Sequence, residues 1–402
     1  MTISRKLKLC LTMLLLAAIW AGFYSCKKSI SGISNNQVVE TPFSLYFSDS
    51  SGGLYSSNDG KNIRQTLFKA DGYPSKAICV AGDNILWAKS SLLISTNNGT
   101  NFNHSFDSLG SYPGFACNGF PIDLNQSMMI EIAAWNRVYI VSDSVDELSP
   151  NYLGIRFSLY QGTQGLWYTD GRPDTMGGFG NYGPEPFTVT ITSFTQLTNG
   201  ILCGYDARHN RNCYLTSTNV LWRECTANPD AATNPGLAGI GNNFNKSGVP
   251  LPHCDANATP VDTAARYSYG HFNNRLIAID NKNCNKNGAY YSDDTGRNWT
   301  QYAGLPGVPL LCVASPFEEV SLIGTAGAGL YMLNNNTGAW QVNNNGLGTN
   351  LIVHNIAFKE NIYKDGSIQK YVFLATNNGI YMSTDMGTNW TQTIPGNFVT
   401  IY

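Results

Sequence analysis

Two segments set a serine, an acid, a glycine and a tryptophan at one spacing: Ser292, Asp294, Gly296 and Trp299, then Ser383, Asp385, Gly387 and Trp390. Asp294 and Asp385 are the best-defined acids in the sequence. A carboxylate so placed has two uses. It could work as a catalytic acid or base, or it could accept hydrogen bonds from the backbone of its own turn. The turn is the simpler use, because Asp followed by Gly at this distance is turn chemistry. Outside these segments, glycoside hydrolysis would have to draw a facing pair of carboxyls from Glu131, Asp170, Asp174, Glu185, Asp206, Glu224 and Asp262. No spacing among them singles out a pair, and solvated loop acids or turn caps are the plainer reading.

Other chemistry-bearing groups are sparse. His253, Cys254, Asp255 and His271 could face a metal, but their spacing matches no ligand pattern. The run NKNCNKNG at 281–288 resembles a calcium loop in rhythm only; it lacks acids and carries two lysines. There is no phosphate-binding loop, dinucleotide fingerprint or nucleophile elbow, so neither cofactor nor metal is expected. Aromatic residues offer a better lead. Trp135, Trp167, Tyr168, Phe179 and Tyr182 fall at strand ends or in glycine-rich stretches. Such rings stack on sugars or anchor partner proteins, so they form the candidate binding surface; the alternative is that they plug gaps between sheets.

The elements that must position these residues are strands. The Ser-x-Asp segments belong to a repeat: GAYYSDDTGRNWTQY at 288–302 recurs as GIYMSTDMGTNWTQT at 379–393. Weaker copies are GLYSSNDGKNIRQTL at 53–67, LLISTNNGTNFNHSF at 92–106 and GLYMLNNNTGAWQVN at 329–343. In each, an alternating apolar strand reaches the serine, the Asp or Asn with glycine turns the chain, and an aromatic opens the returning strand. Recognisable neighbours stand about 40 to 50 residues apart, the length of a four-stranded propeller blade. Between Gly99 and Gly296 the turn motif has decayed, yet RVYIVSDS, GLWYTDG, GILCGYDA and NCYLTST still read as strands.

These segments resemble the Asp-box, or BNR, repeats of sialidase-like β-propellers, and the C-terminal copy is similar to those of photosystem II assembly-factor and sortilin propellers. The resemblance implies an all-β fold, a single propeller of about seven blades, with six to eight allowed. It also implies that the box residues are structural. Active sialidases of that family present an arginine triad, a tyrosine nucleophile backed by glutamate, and an aspartate acid/base. Their first arginine belongs to an Arg-Ile-Pro motif, and this chain has none. Arg156, Arg208, Arg266 and Arg275 sit in no matching motif, so a bidentate carboxylate clamp is not expected.

The N-terminus reads as an address. Arg5, Lys6 and Lys8 precede an apolar run from Leu9 to Tyr24, and Ser25 stands before Cys26. This resembles a bacterial lipoprotein signal, with residues 1–25 removed and Cys26 acylated. Lys27 rather than Asp follows, which points to the outer membrane. Residues 26–41 then read as lipidated Cys and flexible tether, and 42–402 as the propeller, with an irregular insertion at about 226–267. The chain has 10 cysteines. Beyond Cys10 and Cys26 they form an even set that suits an oxidising compartment, and Cys213 with Cys225 and Cys254 with Cys284 are the preferred disulfides.

Composition bounds the rest. Across 402 residues only 13% are charged and the net charge is -2, against about a quarter charged in ordinary domains. That balance excludes nucleic-acid binding through a basic footprint. The expected function is a monomeric, non-catalytic binding or assembly scaffold for a protein or glycan partner. A glycan-active enzyme on the same scaffold is the alternative.

Overall fold

The computed structural model describes residues 39–81, 84–89, 92–104, 129–133, 137–142, 154–158, 167–170, 191–199, 201–206, 211–215, 251, 267–281, 288–296 and 298–402. The architecture is all-β, with one short 3-10 turn at Pro316–Glu318 and no α-helix among the described residues. None of their helices is long and apolar enough to cross a membrane.

The chain divides into two units. Of the described residues, the smaller contains Val39–Thr41 and the hairpin tip Asn361–Ile368. Within it, the strand Val39–Thr41 lies antiparallel to that tip, with Val39 opposite Tyr363 and Thr41 opposite Ile362. The last residues of the segment read as tether are therefore strand. Asp365 fixes the tip by accepting hydrogen bonds from the Ser367 N–H at 3.0 Å and hydroxyl at 2.7 Å.

The larger unit holds successive antiparallel sheets, mostly four-stranded, and all but the first are meanders whose strands pair in chain order. The second sheet runs Ala77–Ala81, Asn84–Ala88, Leu92–Ser95, Asn103–His104. The third runs Met129–Ala133, Arg137–Ser142, Gly154–Ser158, Trp167–Asp170; the fourth shows Ile191–Gln196, Leu202–Asp206 and Arg211–Leu215. The fifth runs Tyr267–Phe272, Arg275–Asp280, Ala289–Ser292, Thr300–Gln301, and the sixth Leu310–Ala314, Leu322–Thr325, Leu330–Asn334, Ala339–Val342. The seventh begins on Val353–Tyr363 and continues through Ile368–Thr376, Gly379–Ser383 and Thr391–Pro395.

The first sheet breaks chain order in one place. Its strands Leu45–Asp49, Leu54–Ser57 and Gln65–Phe68 are completed by the C-terminal strand Phe398–Ile401, which takes the leading position with Ile401 opposite Phe47. The two chain ends of this unit thus share one sheet.

From the first sheet to the sixth, the leading strand of each neighbours that of the next. The sixth and seventh join where the Cys312 thiol lies 3.7 Å from the Val353 carbonyl, amid Leu322, Leu374 and Trp390. The seventh meets the first in an apolar cluster of Phe43, Phe47, Ala357, Phe373 and Phe398. Apolar burial between sheets, rather than one central core, therefore holds this unit together.

Alternation explains the sheets: side chains pack on both faces, and the polar turns sit at the ends. Four turns between third and fourth strands share one hydrogen-bond plan. The Ser292 hydroxyl donates to Asp294 Oδ1 at 2.7 Å and accepts from the Gly296 N–H at 2.8 Å. Asp294 then accepts from the backbone and side chain of Asn298. Ser383, Asp385, Gly387 and Asn389 repeat this plan, as do Ser57, Asp59, Gly60 and Asn62. In the second sheet Asn97 accepts from Ser95 and from the Asn101 N–H in the same way. The sixth sheet departs from the plan, with Asn334 accepting from Asn336 and Thr337.

Candidate functional site

The carboxylates that stand out in sequence are consumed by their own turns. Burial opposes ionisation of Asp59. Hydrogen bonds from the Asn62 side chain, the Lys61 and Asn62 N–H groups and Ser57 together outweigh it and hold the carboxyl at about 2. Asp385 is lowered by the same balance, with Asn389 as the main donor. Trp299 and Trp390 are buried against neighbouring apolar groups, Trp390 in the cluster between the sixth and seventh sheets. Arg275 is likewise occupied: Nε and a terminal nitrogen bond Asp293 at 2.7 and 3.0 Å, and the guanidinium stacks 4.3 Å from the Tyr291 ring centre.

Several other sequence candidates lie outside the described residues: Cys26, Trp135, Phe179, Tyr182, Cys225, Cys254, Cys284, His253 and Asp255. Trp167 and Tyr168 fall in the strand Trp167–Asp170, and Cys213 in Arg211–Leu215. Among the described residues no group of three His, Cys, Asp or Glu is placed to hold a metal.

What the structure does bring together is a line of side chains at the trailing ends of the leading strands. It begins on the fourth sheet, where Thr195 Oγ1 lies 2.8 Å from His271 Nδ1 of the fifth. His271 Nε2 lies 2.8 Å from Glu318 Oε1, carried by the loop that follows the sixth sheet's leading strand. Glu318 also accepts the Asn273 N–H, and the Ser315 hydroxyl donates to the His271 carbonyl. Pro316 starts the turn, and Phe317 and Glu318 take φ of 53° and 54°. Positive φ at two successive non-glycine residues is strain, and here it aims one side chain at each neighbouring sheet.

The line continues in the other direction. Phe317 meets Phe358 of the seventh sheet with ring centres 5.2 Å apart, and Glu319 pairs with Lys370. Phe358 remains 42% exposed despite this contact, one of the few large apolar side chains among the described residues to do so. One residue on, Lys359 Nζ lies 4.3 Å from the Tyr402 ring centre, and the Tyr402 hydroxyl donates to the Val80 carbonyl of the second sheet at 3.3 Å.

His271 has a partner on each ring nitrogen. Burial pushes its pKa below the ordinary value, and Glu318 pulls the other way without overcoming it. The neutral ring that satisfies both partners carries its proton on Nε2, donates to Glu318, and accepts the Thr195 hydroxyl at Nδ1. Thr195 itself is buried, so this relay orders three sheets and exposes no nucleophile. Because the folded state binds fewer protons here, stability is expected to fall as pH drops below about 6.5. Urea titrations of His271→Gln should show a flatter dependence between pH 5 and 7. Flattening would be partial, since half-buried His354 is shifted in the same direction. An unchanged slope would remove His271 from this role.

Sequence reasoning named His271, but as a metal candidate with loop residues; the structure gives it Thr195 and Glu318 as partners. Thr195, Glu318, Lys359 and Tyr402 went unread. One signal was available: PFEE at 316–319 places paired acids directly after an apolar strand.

No protein-family model matches the chain, and no curated protein matches it. Among solved structures, it is similar to YCF48 bound to D1 peptide, at 11% identity over 87% of this chain and 93% of that one, TM-score 0.45. YCF48 from Cyanidioschyzon merolae matches at 14% identity over 86% and 97%, TM-score 0.45. The GH74 enzyme of Niastella koreensis matches at 13% identity over 85% and 57%, TM-score 0.39.

Proposed function

We propose that this chain is a β-propeller that serves as a non-catalytic binding or assembly scaffold, held at a bacterial envelope membrane by lipid on Cys26. Consecutive four-stranded meanders, the neighbouring leading strands and the shared first sheet support radial repetition with about seven blades. Turn carboxylates committed to backbone N–H groups favour a binder over a hydrolase. The observation that carries the reading is the line of side chains from Thr195 to Val80, which gathers six sheets at one set of strand ends and leaves Phe358 exposed there. A protein partner would use Phe358 as its anchor.

The test uses the full chain in detergent micelles. A photo-crosslinking amino acid at Phe358 should join a defined partner in the native envelope, and Phe358→Asp should weaken purified-partner binding at least about tenfold. A glycan array and a glycoside hydrolysis screen run beside it; turnover of any glycoside would sink the scaffold reading in favour of the enzyme. Mass spectrometry of the parent against Cys26→Ala reads the anchor, and an unmodified Cys26 in the mature parent would refute lipidation.

A further inference from the structure

Several charges along these strand ends find partners. His271 has Glu318, Lys370 has Glu319, and Arg275 has Asp293. Lys359 pairs with no carboxylate among the described residues. Its side chain is half-buried, and its ammonium rests on the face of Tyr402. Tyr402 is held in turn by the Val80 carbonyl, so the lysine head stands where the seventh, first and second sheets meet. Burial pushes its pKa down to about 8, and the charge that Cys79 carries when ionised opposes this only in part.

An ammonium withdrawn from water needs a counter-charge, and an aromatic face replaces only part of the lost hydration. A single cation beside an aromatic ring suits a monovalent anion with an apolar flank better than a phosphate dianion, which calls for several donors. We propose that Lys359 anchors a binding site for a carboxylate bearing an apolar group, formed where these three sheets converge. The proposal rests on the reading of the strand ends as a ligand surface, and it names the chemistry that surface takes.

The experiment uses the full chain in micelles, with lysines carrying carbon-13 methyl groups for NMR. The Lys359 signal is identified by its loss in Lys359→Arg. N-acetylphenylalanine is the probe, and its primary amide is the control. In the free protein the Lys359 signal should titrate near 8. Saturation with the acid should carry the midpoint toward the ordinary lysine range of about 10, and the amide should leave it unmoved. Lys359→Met should weaken acid binding at least about tenfold, and Lys359→Arg by less. The midpoint is read on the parent chain, so it stands even if a variant misfolds. An unmoved midpoint, or equal binding of acid and amide, overturns the site. If the acid fails while crosslinking from Phe358 succeeds, the anion site falls and the scaffold reading survives. Failure of both removes both.

Discussion

Replacing Trp87 with alanine is expected to cost about 3–5 kcal/mol of unfolding free energy, the range for truncating a large buried aromatic. Trp87 is fully buried on the second sheet. It packs edge-to-face with Phe68 of the first sheet and with Phe102, ring centres 5.0 and 5.7 Å apart. The indole N–H donates to Ser75 Oγ at 2.8 Å, and that oxygen lies 2.9 Å from Thr400 Oγ1 on the C-terminal strand. Lys89, itself buried, sits 4.5 Å from the indole centre and pairs with Asp71. Truncation therefore opens a cavity, breaks a hydrogen-bonded link between two sheets and strips a buried ammonium of an aromatic face. Trp87→Phe should lose less, because it keeps most of the packing. Denaturant unfolding of both variants checks the order, and a loss under about 1 kcal/mol for alanine would contradict the packing account.

Gly346→Ala should destabilise by more than about 2 kcal/mol, although only a methyl group is added. Gly346 has φ of +85°, and a Cβ there would stand 2.0 Å from the Trp390 carbonyl oxygen. Trp390 N–H donates to the Asn345 carbonyl at 3.0 Å, so this carbonyl cannot withdraw without breaking the link between sheets. The same device occurs one sheet earlier, where Gly304 at φ +85° would bring its Cβ within 2.1 Å of the Trp340 carbonyl. Gly366→Ala is the control: its φ is +78°, but nothing lies within 4 Å of the added carbon. It should cost only the left-handed penalty of roughly 1–2 kcal/mol. Equal losses at positions 346 and 366 would show that backbone conformation, not the close approach, sets the effect.

The two glycines show why some of this molecule is legible and some is not. A turn such as Ser383 to Asn389 is closed by hydrogen bonds between residues two to four apart. Everything it needs is present in seven consecutive residues, so the pattern survives in the sequence. Trp390 reads just as easily as the aromatic that follows a turn. Its approach to Gly346 does not, because Gly346 lies 44 residues earlier in the connection between the sixth and seventh sheets and nothing local requires the distance.

The strand-end site lies further out of reach. Thr195 and His271 are 76 residues apart, and Glu318 reaches them from a third sheet. Thr195 reads as an ordinary strand residue, and Lys359 as a solvated charge in an alternating strand. Each becomes part of a site only when leading strands of successive sheets neighbour one another.

By itself the sequence determined the all-β class, the turn-dense composition with few charges, and the rhythm of strand, turn and strand. Those follow from local sterics, side-chain alternation and short-range hydrogen bonding. The tertiary structure alone decided which strand completes the first sheet, which charges find partners, and that Lys359 meets an aromatic ring and no carboxylate among the described residues. Those outcomes depend on burial and on desolvated electrostatics between residues far apart in the chain. Their energies exist only once apolar packing has brought the sheets together.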